Sequence, residues 1–154
     1  MNADYEVRPT SNGHHGVFAL RSFKAGEIIS AIHWGDPGPV RSRWTIQCAE
    51  GVHAMPLPEN LKYVNHSCAP SVFFDIEKMQ LAALTEIAVG QELTFFYPST
   101  EWEMTESFQC SCGAAQCLGT ISGAVALTDE QRKRYRLSPV VQKQIARQRA
   151  AAAS

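Results

Sequence analysis

Asn65-His66-Ser67-Cys68 is the stretch on which the reading of this chain turns. It lies between two apolar runs, residues 61–64 and 72–74, both expected to be strands, so the polar tetrapeptide reads as a turn. Its cysteine has partners far downstream in Cys110-Ser111-Cys112-Gly113-Ala114-Ala115-Gln116-Cys117. Three cysteines at that spacing can wrap one ion, and Cys68 makes four thiolates, the count of a closed tetrahedral zinc site. Zinc suits four soft ligands, and with no open position it is structural rather than catalytic. A bond from Cys68 to the downstream cluster folds the last third of the chain back over the 65–68 turn. Cys48, the fifth cysteine, reads as a buried core thiol.

A length of 154 residues suffices for one domain with a real core, and a hydrophobic fraction of 45% is that of an ordinary globular protein. No apolar run approaches the roughly 20 residues that a bilayer span needs. Met1-Asn2-Ala3-Asp4-Tyr5-Glu6 lacks a basic region followed by an apolar one, so no secretory signal is expected. A reducing setting, cytoplasmic or nuclear, follows, and there clustered cysteines bind metal more often than they pair. The net charge of −1 conceals an asymmetry. After Leu127, seven bases face two acids, a net of +5, whereas the body before it carries −6. An acidic body favours a basic partner through long-range attraction.

Short strands with closely spaced turns are expected over residues 17–20, 28–32, 44–48, 52–55, 72–76 and 79–84. Gly35-Asp36-Pro37-Gly38-Pro39 reads as a loop, and Pro56-Leu57-Pro58 as a break. Leu93-Thr94-Phe95-Phe96-Tyr97, β-branched and aromatic, is the strongest strand, ended by Pro98. The turn at Gly16 allows a backbone to pass close to a ligand. The tail changes character. Thr128-Asp129-Glu130-Gln131 is a capping box opening a helix to about Leu137. Ser138-Pro139 opens a second helix, with a thin stripe of Val141, Ile145 and Gln148, that frays into residues 150–154. Its basic residues, without interleaved aromatics, read as a solvated helix rather than a nucleic-acid surface.

These motifs together resemble the SET-domain protein lysine methyltransferases over nearly the whole chain. Asn65 to Ser71 is similar to the family's Asn-His-Ser-Cys-x-Pro-Asn turn, Glu92 to Tyr97 to its Glu-Leu-Thr-Tyr/Phe-Asp-Tyr strand, and Cys110 to Gly119 to its post-SET zinc segment. His15-Gly16-Val17-Phe18-Ala19 resembles the Gly-x-Gly-Val-Phe-Ala opening, with His14 in place of the first glycine. Ser71 replaces an asparagine, Phe96 replaces an acid beside Tyr97, and no cysteine-rich pre-SET segment is present.

The resemblance implies a mainly β fold of small sheets with a pseudoknot, in which residues 65–68 lie threaded beside residues 93–97, a rare arrangement. It implies a SET domain over residues 1–105, a post-SET zinc segment over 106–124 holding Cys68, Cys110, Cys112 and Cys117 to zinc, and a basic helical tail over 125–154, all in one structural unit. It implies S-adenosyl-L-methionine as cofactor, bound by His14, His15, Gly16, Phe18, Asn65 and His66 with Tyr97, Phe108 and Leu118. Tyr97 corresponds to the catalytic tyrosine, and Phe95, Phe96 and Trp102 to an aromatic channel for the target lysine. A phenylalanine at 95, where the family alternates Phe and Tyr, leaves room for di- or trimethylation. The implied activity is methyl transfer to the lysine ε-amine of a basic protein such as a histone. Two alternatives stay open: a small-molecule amine as acceptor, or a zinc-stabilised interaction module without turnover. The sequence leaves oligomeric state open.

Overall fold

The computed structural model describes residues 4–153. Four small sheets make up the body. Strands β1 (Tyr5–Pro9), β2 (His15–Ala19), β10 (Glu92–Phe95) and β7 (Asn65–His66) form one sheet, in the order β1-β2-β10-β7. Strands β3 (Ile28–Ala31), β9 (Gln80–Ala83) and β8 (Val72–Asp75) form a second, in that order. Strands β4 (His33–Gly38), β6 (Val52–Leu57) and β5 (Ile46–Ala49) form a third, and β11 (Phe108–Gln109) pairs with β12 (Thr120–Ile121). Helices α1 (Asp129–Arg134) and α2 (Pro139–Ala152) follow. No helix among the described residues is long and apolar enough to cross a membrane.

The mainly β architecture of small sheets is therefore as expected, with local departures. The 65–68 segment begins as a short strand rather than a turn: Asn65 pairs with Thr94 and His66 with Phe95 in parallel. Parallel pairing needs a long crossover, and the intervening chain supplies one. The Ser67 N–H donates to Phe95 O (3.0 Å) and the Ser71 N–H to Thr94 O (2.9 Å), which binds the segment along β10. The expected strand over residues 61–64 is instead a 3-10 turn, Glu59–Tyr63, that buries Leu61. The expected loop at Gly35-Asp36-Pro37 belongs to β4. This strand lies at a sheet edge, where proline costs no ladder bond, and Asp36 at φ 49 accompanies a register shift. Strand β6 runs through Pro56 to Leu57 before Pro58 leads into the turn. Cys48 is half-buried, at the rim of β5, rather than a core thiol.

Strand β10 alternates as a half-buried strand must. Leu93 and Phe95 enter the main core, with Tyr5, Val17, Phe74 and Leu81, whereas Glu92 and Thr94 are only half-buried. The expected strand ends early: Tyr97 opens a 3-10 turn, Tyr97–Ser99, with Pro98 in its first turn.

The tail is docked rather than solvated. The capping box of α1 forms as expected, with the Thr128 hydroxyl accepting from the Gln131 N–H and the Gln131 side chain accepting from the Thr128 N–H. Ser138 caps α2, which continues to Ala152 instead of fraying at 150; Ser154 and residues 1–3 of the expected signal-free terminus lie outside the described residues. Val141 and Ile145 pack with Ala124, Leu137 and Trp102 in a second apolar cluster. Arg132 is buried, its guanidinium donating to Ala124 O (2.9 Å) and Gln148 Oε1 (2.7 Å). Arg136 meets Asp75 at 3.3 Å, and Arg147 pairs with Glu50.

The joint between body and tail depends on Gly123. It has φ 102, and an added Cβ would lie 2.5 Å from the Trp102 carbonyl oxygen, a backbone atom that cannot move aside. Gly123→Ala is expected to cost about 2–3 kcal/mol, read as a lowered urea midpoint, through backbone strain and steric conflict.

Candidate active site

A cleft of about 1240 Å³ opens between the 10–15 turn, β7, β10, the 41–46 segment and the chain leading into β11. The parallel pairing of β7 with β10 places Asn65, His66 and Tyr97 along its floor. Asn65 donates through Nδ2 to His15 O (2.8 Å) and to Glu92 Oε2 (3.0 Å), so strands β2, β7 and β10 meet on one amide. Gly16 serves this junction. An added Cβ would lie 2.8 Å from Glu92 Oε2, so the carboxylate takes up the space that glycine leaves.

His66 is the hinge of the site. Its Nδ1 accepts from the Tyr97 backbone N–H (3.1 Å), and its Nε2 lies 3.4 Å from Cys68 Sγ. Because Nδ1 accepts, the proton of the neutral ring sits on Nε2, facing the sulfur. Burial lowers His66 to about 4, which keeps the ring neutral.

Tyr97 has aromatic neighbours on three sides: Phe95 at 4.8 Å, His66 at 5.2 Å and Phe108 at 5.8 Å between centroids. Burial pushes its phenol up to about 12, so the hydroxyl is neutral and keeps its proton to donate. Arg43 lies within electrostatic reach and acts in the opposite direction.

Beside this floor stand Cys68, Cys110, Cys112 and Cys117, whose sulfurs all lie within 4.8 Å of one another. Cys68 Sγ is 3.9 Å from Cys110 Sγ and 4.0 Å from Cys117 Sγ. A tetrahedral Zn–S length of about 2.3 Å requires sulfurs about 3.8 Å apart, so the donor set fits that ion. Burial pushes the Cys68 thiol up to about 11 and raises Cys110, whereas, against burial, hydrogen bonds from its neighbours lower Cys112 to about 6, so one thiolate is favoured alone and further ones beside it need a dication. The Leu118 N–H points at Cys68 Sγ (3.4 Å), as the outer shell of a metal site does.

A SET-domain family model matches residues 38–98. "Methyltransferase flvH" of Aspergillus flavus is 38% identical over 125 residues, covering 80% of this chain and 70% of that protein. The chain belongs to the SET-domain methyltransferase family. "Histone-lysine N-methyltransferase ash1" of Drosophila melanogaster is 34% identical over 68 residues, 40% of this chain and 3% of that protein. In the fold comparison, the SET-domain chain aligns with the crystal structure of KRYPTONITE in complex with mCHG DNA and SAH. The TM-score is 0.62 and the identity 20%, over 78% of this chain and 29% of that one.

The structure gathers most of the SET-domain residues singled out in the sequence. His14, His15, Asn65, His66, Phe95, Tyr97 and Phe108 share the cleft, with Cys110 and Cys112 at its edge. Gly16, Phe18 and Leu118 are not among the residues lining it: Phe18 lies under the Arg8 guanidinium (4.2 Å), and Leu118 faces the cysteines. Phe96 and Trp102 depart from the expected channel. Alternation along the chain sends Phe96 away from Phe95 and onto Tyr135, where the rings stack at 3.6 Å, while Trp102 belongs to the second apolar cluster. Both aromatics hold the tail.

Among the lining residues not anticipated are Arg41, Arg43, Trp44 and Glu101. Glu101 Oε2 accepts from the Gln47 N–H (3.0 Å) and the Thr100 hydroxyl (2.7 Å). Burial pushes its carboxyl up to about 7, against the hydrogen bonds and the Arg41 charge that lower it. No local pattern marks Glu101: an acid between Thr100 and Trp102 has the appearance of a surface residue.

A carboxyl held above its unfolded value favours the fold while protonated, and that contribution is lost as pH rises through about 7. Glu101→Gln is therefore expected to match the wild type in stability at pH 5 and to exceed it by on the order of 2 kcal/mol at pH 8.5, in urea unfolding at the two pH values.

Proposed function

We propose that the chain transfers a methyl group from S-adenosylmethionine to the ε-amine of a lysine on a basic protein, of which a histone tail is an example. The observation that carries this reading is the aromatic enclosure of a neutral Tyr97 hydroxyl in the same cleft as Asn65 and His66. S-adenosylmethionine, when bound, supplies a methyl group on a sulfonium centre, open to in-line attack by an amine. Asn65, whose Nδ2 is committed to protein partners, leaves its Oδ1 for a ligand, and Glu92 adds negative charge suited to a cationic one. His14, His15 and Phe108 complete the residues that would hold it.

The protein's part is to align and to dry the reacting groups. Phe95, Phe108 and the Tyr97 ring exclude water and offer π faces to a cation or its methylated forms. An apolar enclosure disfavours the charged amine and so lowers its pKa from the free lysine value of about 10.4. The Tyr97 hydroxyl orients the nitrogen and favours the polarised methyl by electrostatics and weak C–H···O contacts. Zinc held by the four cysteines would be structural, tying β11 and the tail to β7.

A second reading has its own support. Arg41 and Arg43 line the same cleft, and cations there repel a basic peptide but suit a small amine that also carries an anionic group. The relative matched over most of its length is named only as a methyltransferase. Transfer of labelled methyl into a cell extract, separated into protein and small-molecule fractions, discriminates the two.

Tyr97→Phe is expected to lower the transfer rate by about 10²-fold while cofactor affinity stays within about twofold, because only a contact of the transition state is lost. Equal rates in the two proteins would remove Tyr97 from this role. Metal analysis is expected to find one zinc per chain, and Cys112→Ser to lose it together with cofactor affinity. A variant that kept both would overturn the tetrathiolate site.

A further inference from the structure

Methyl transfer as described uses no base, yet the same cleft holds a buried carboxylate. Glu101 is 8% exposed and lines the cleft. Both of its side-chain hydrogen bonds, from Gln47 and Thr100, fall on Oε2, which leaves Oε1 without a protein partner on a residue that lines the cleft. Its position relative to Tyr97 is fixed: the Glu101 N–H donates to Tyr97 O (3.0 Å), and its charge acts on the Tyr97 hydroxyl.

The groups around it are few in kind. Gln47 Nε2 donates to Thr100 O (3.0 Å) and to Gln144 Oε1 (3.1 Å) of α2, so a neutral amide pair supports the carboxylate from behind. Arg41 and the Cys48 thiol feel its charge from a distance, and Arg41 pairs with Glu103 at 3.4 Å. A carboxylate so far out of water gains from a charged partner at the oxygen that no protein group engages. The chemistry that satisfies such an oxygen is a cationic hydrogen-bond donor narrow enough to enter beside Phe95 and Tyr97, which is a primary ammonium group.

We infer that Glu101 is a catalytic residue: Oε1 receives the acceptor's ammonium group, holds its nitrogen toward Tyr97 and takes the proton that must leave before methyl transfer. This rests on the methyltransferase reading above. In the step, one N–H bond of the ammonium breaks, its electron pair stays on nitrogen, and the proton bonds to Oε1. The pair then forms the C–N bond as the methyl–sulfur bond breaks and its electrons go to sulfur. The proton leaves Glu101 to water through the open cleft. Burial that pushes Glu101 up to about 7 matches it to proton exchange near neutral pH. The site thereby selects amines over neutral hydroxyl acceptors.

Glu101→Gln tests this, since an amide oxygen still accepts from Gln47 and Thr100 while charge and basicity are gone. The first measurement is calorimetric binding of n-butylammonium, which ends as a lysine side chain does, to the full chain saturated with S-adenosylhomocysteine at pH 8. The variant is expected to bind it at least about tenfold more weakly, with unchanged S-adenosylhomocysteine affinity. The second is the pH profile of kcat/KM with the acceptor fraction from extract. The wild-type rate is expected to rise through a limb near neutral pH, and the variant to lose that limb with about 10²-fold of rate. Equal n-butylammonium binding and superposable pH profiles would overturn the inference and leave Glu101 a structural support. A wild-type chain that transfers no methyl but shows the tenfold binding difference supports Glu101 as the ammonium receptor and overturns the methyltransferase reading instead.

Discussion

One imidazole connects the two halves of this protein. His66 accepts the Tyr97 backbone N–H on one nitrogen and faces Cys68 Sγ with the other. The ring can serve both neighbours only as a single neutral tautomer, and burial that lowers it to about 4 secures that state. Through it, the sulfur cluster and the start of the 3-10 turn at Tyr97 share a rigid spacer one ring wide. The parallel pairing of β7 with β10 brings the ring there, and the aromatic contacts with Tyr97, Phe96 and Phe108 keep it upright. A site that has to align a nucleophile within a fraction of an ångström benefits from support of this kind.

The tail completes that support from the other side. Tyr135 stacks on Phe96 and donates its hydroxyl hydrogen to Cys68 O (2.7 Å), so the residue after α1 touches both the strand end and the 65–68 segment. The Ser138 N–H donates to Ser99 O (2.8 Å), and Gln144 reaches Gln47 behind Glu101. The basic residues of the tail are thus partly consumed in docking, through Arg132, Arg136 and Arg147.

What was legible in the sequence is what short-range chemistry encodes. The β-branched and aromatic run ending at Tyr97, the cysteine spacing and the two helix caps are local patterns, and the structure has them close to where they were expected. Strand β4 was hidden because proline and glycine read as a loop unless the strand is known to lie at an edge. Phe96 and Trp102 were misplaced because an aromatic residue near a tyrosine does not reveal which face it takes. Glu101 escaped notice because its burial is made by Gln47, 54 positions away, and by α2 beyond it. Gly16 was recognised as special for its missing side chain, but the atom that occupies the space is Glu92 Oε2.

The docking of α2 has a consequence for how the chain reaches this state. The amide pair joining Gln47 to Gln144 closes a loop of 97 residues, and the Tyr135 contact with Cys68 closes one of 67. Loop closure of this size must be met in chain entropy before the contacts at its ends contribute, and such folds form slowly. The cleft is bounded by the segments that those loops join, so its geometry belongs to the late stage of folding, after the hairpins β1–β2 and β8–β9 can already have formed from neighbouring sequence. A metal ion held by Cys68 and the three distant cysteines would shorten that search by tying residue 68 to residues 110–117 early, and so act on the rate of folding as well as on the stability of the product.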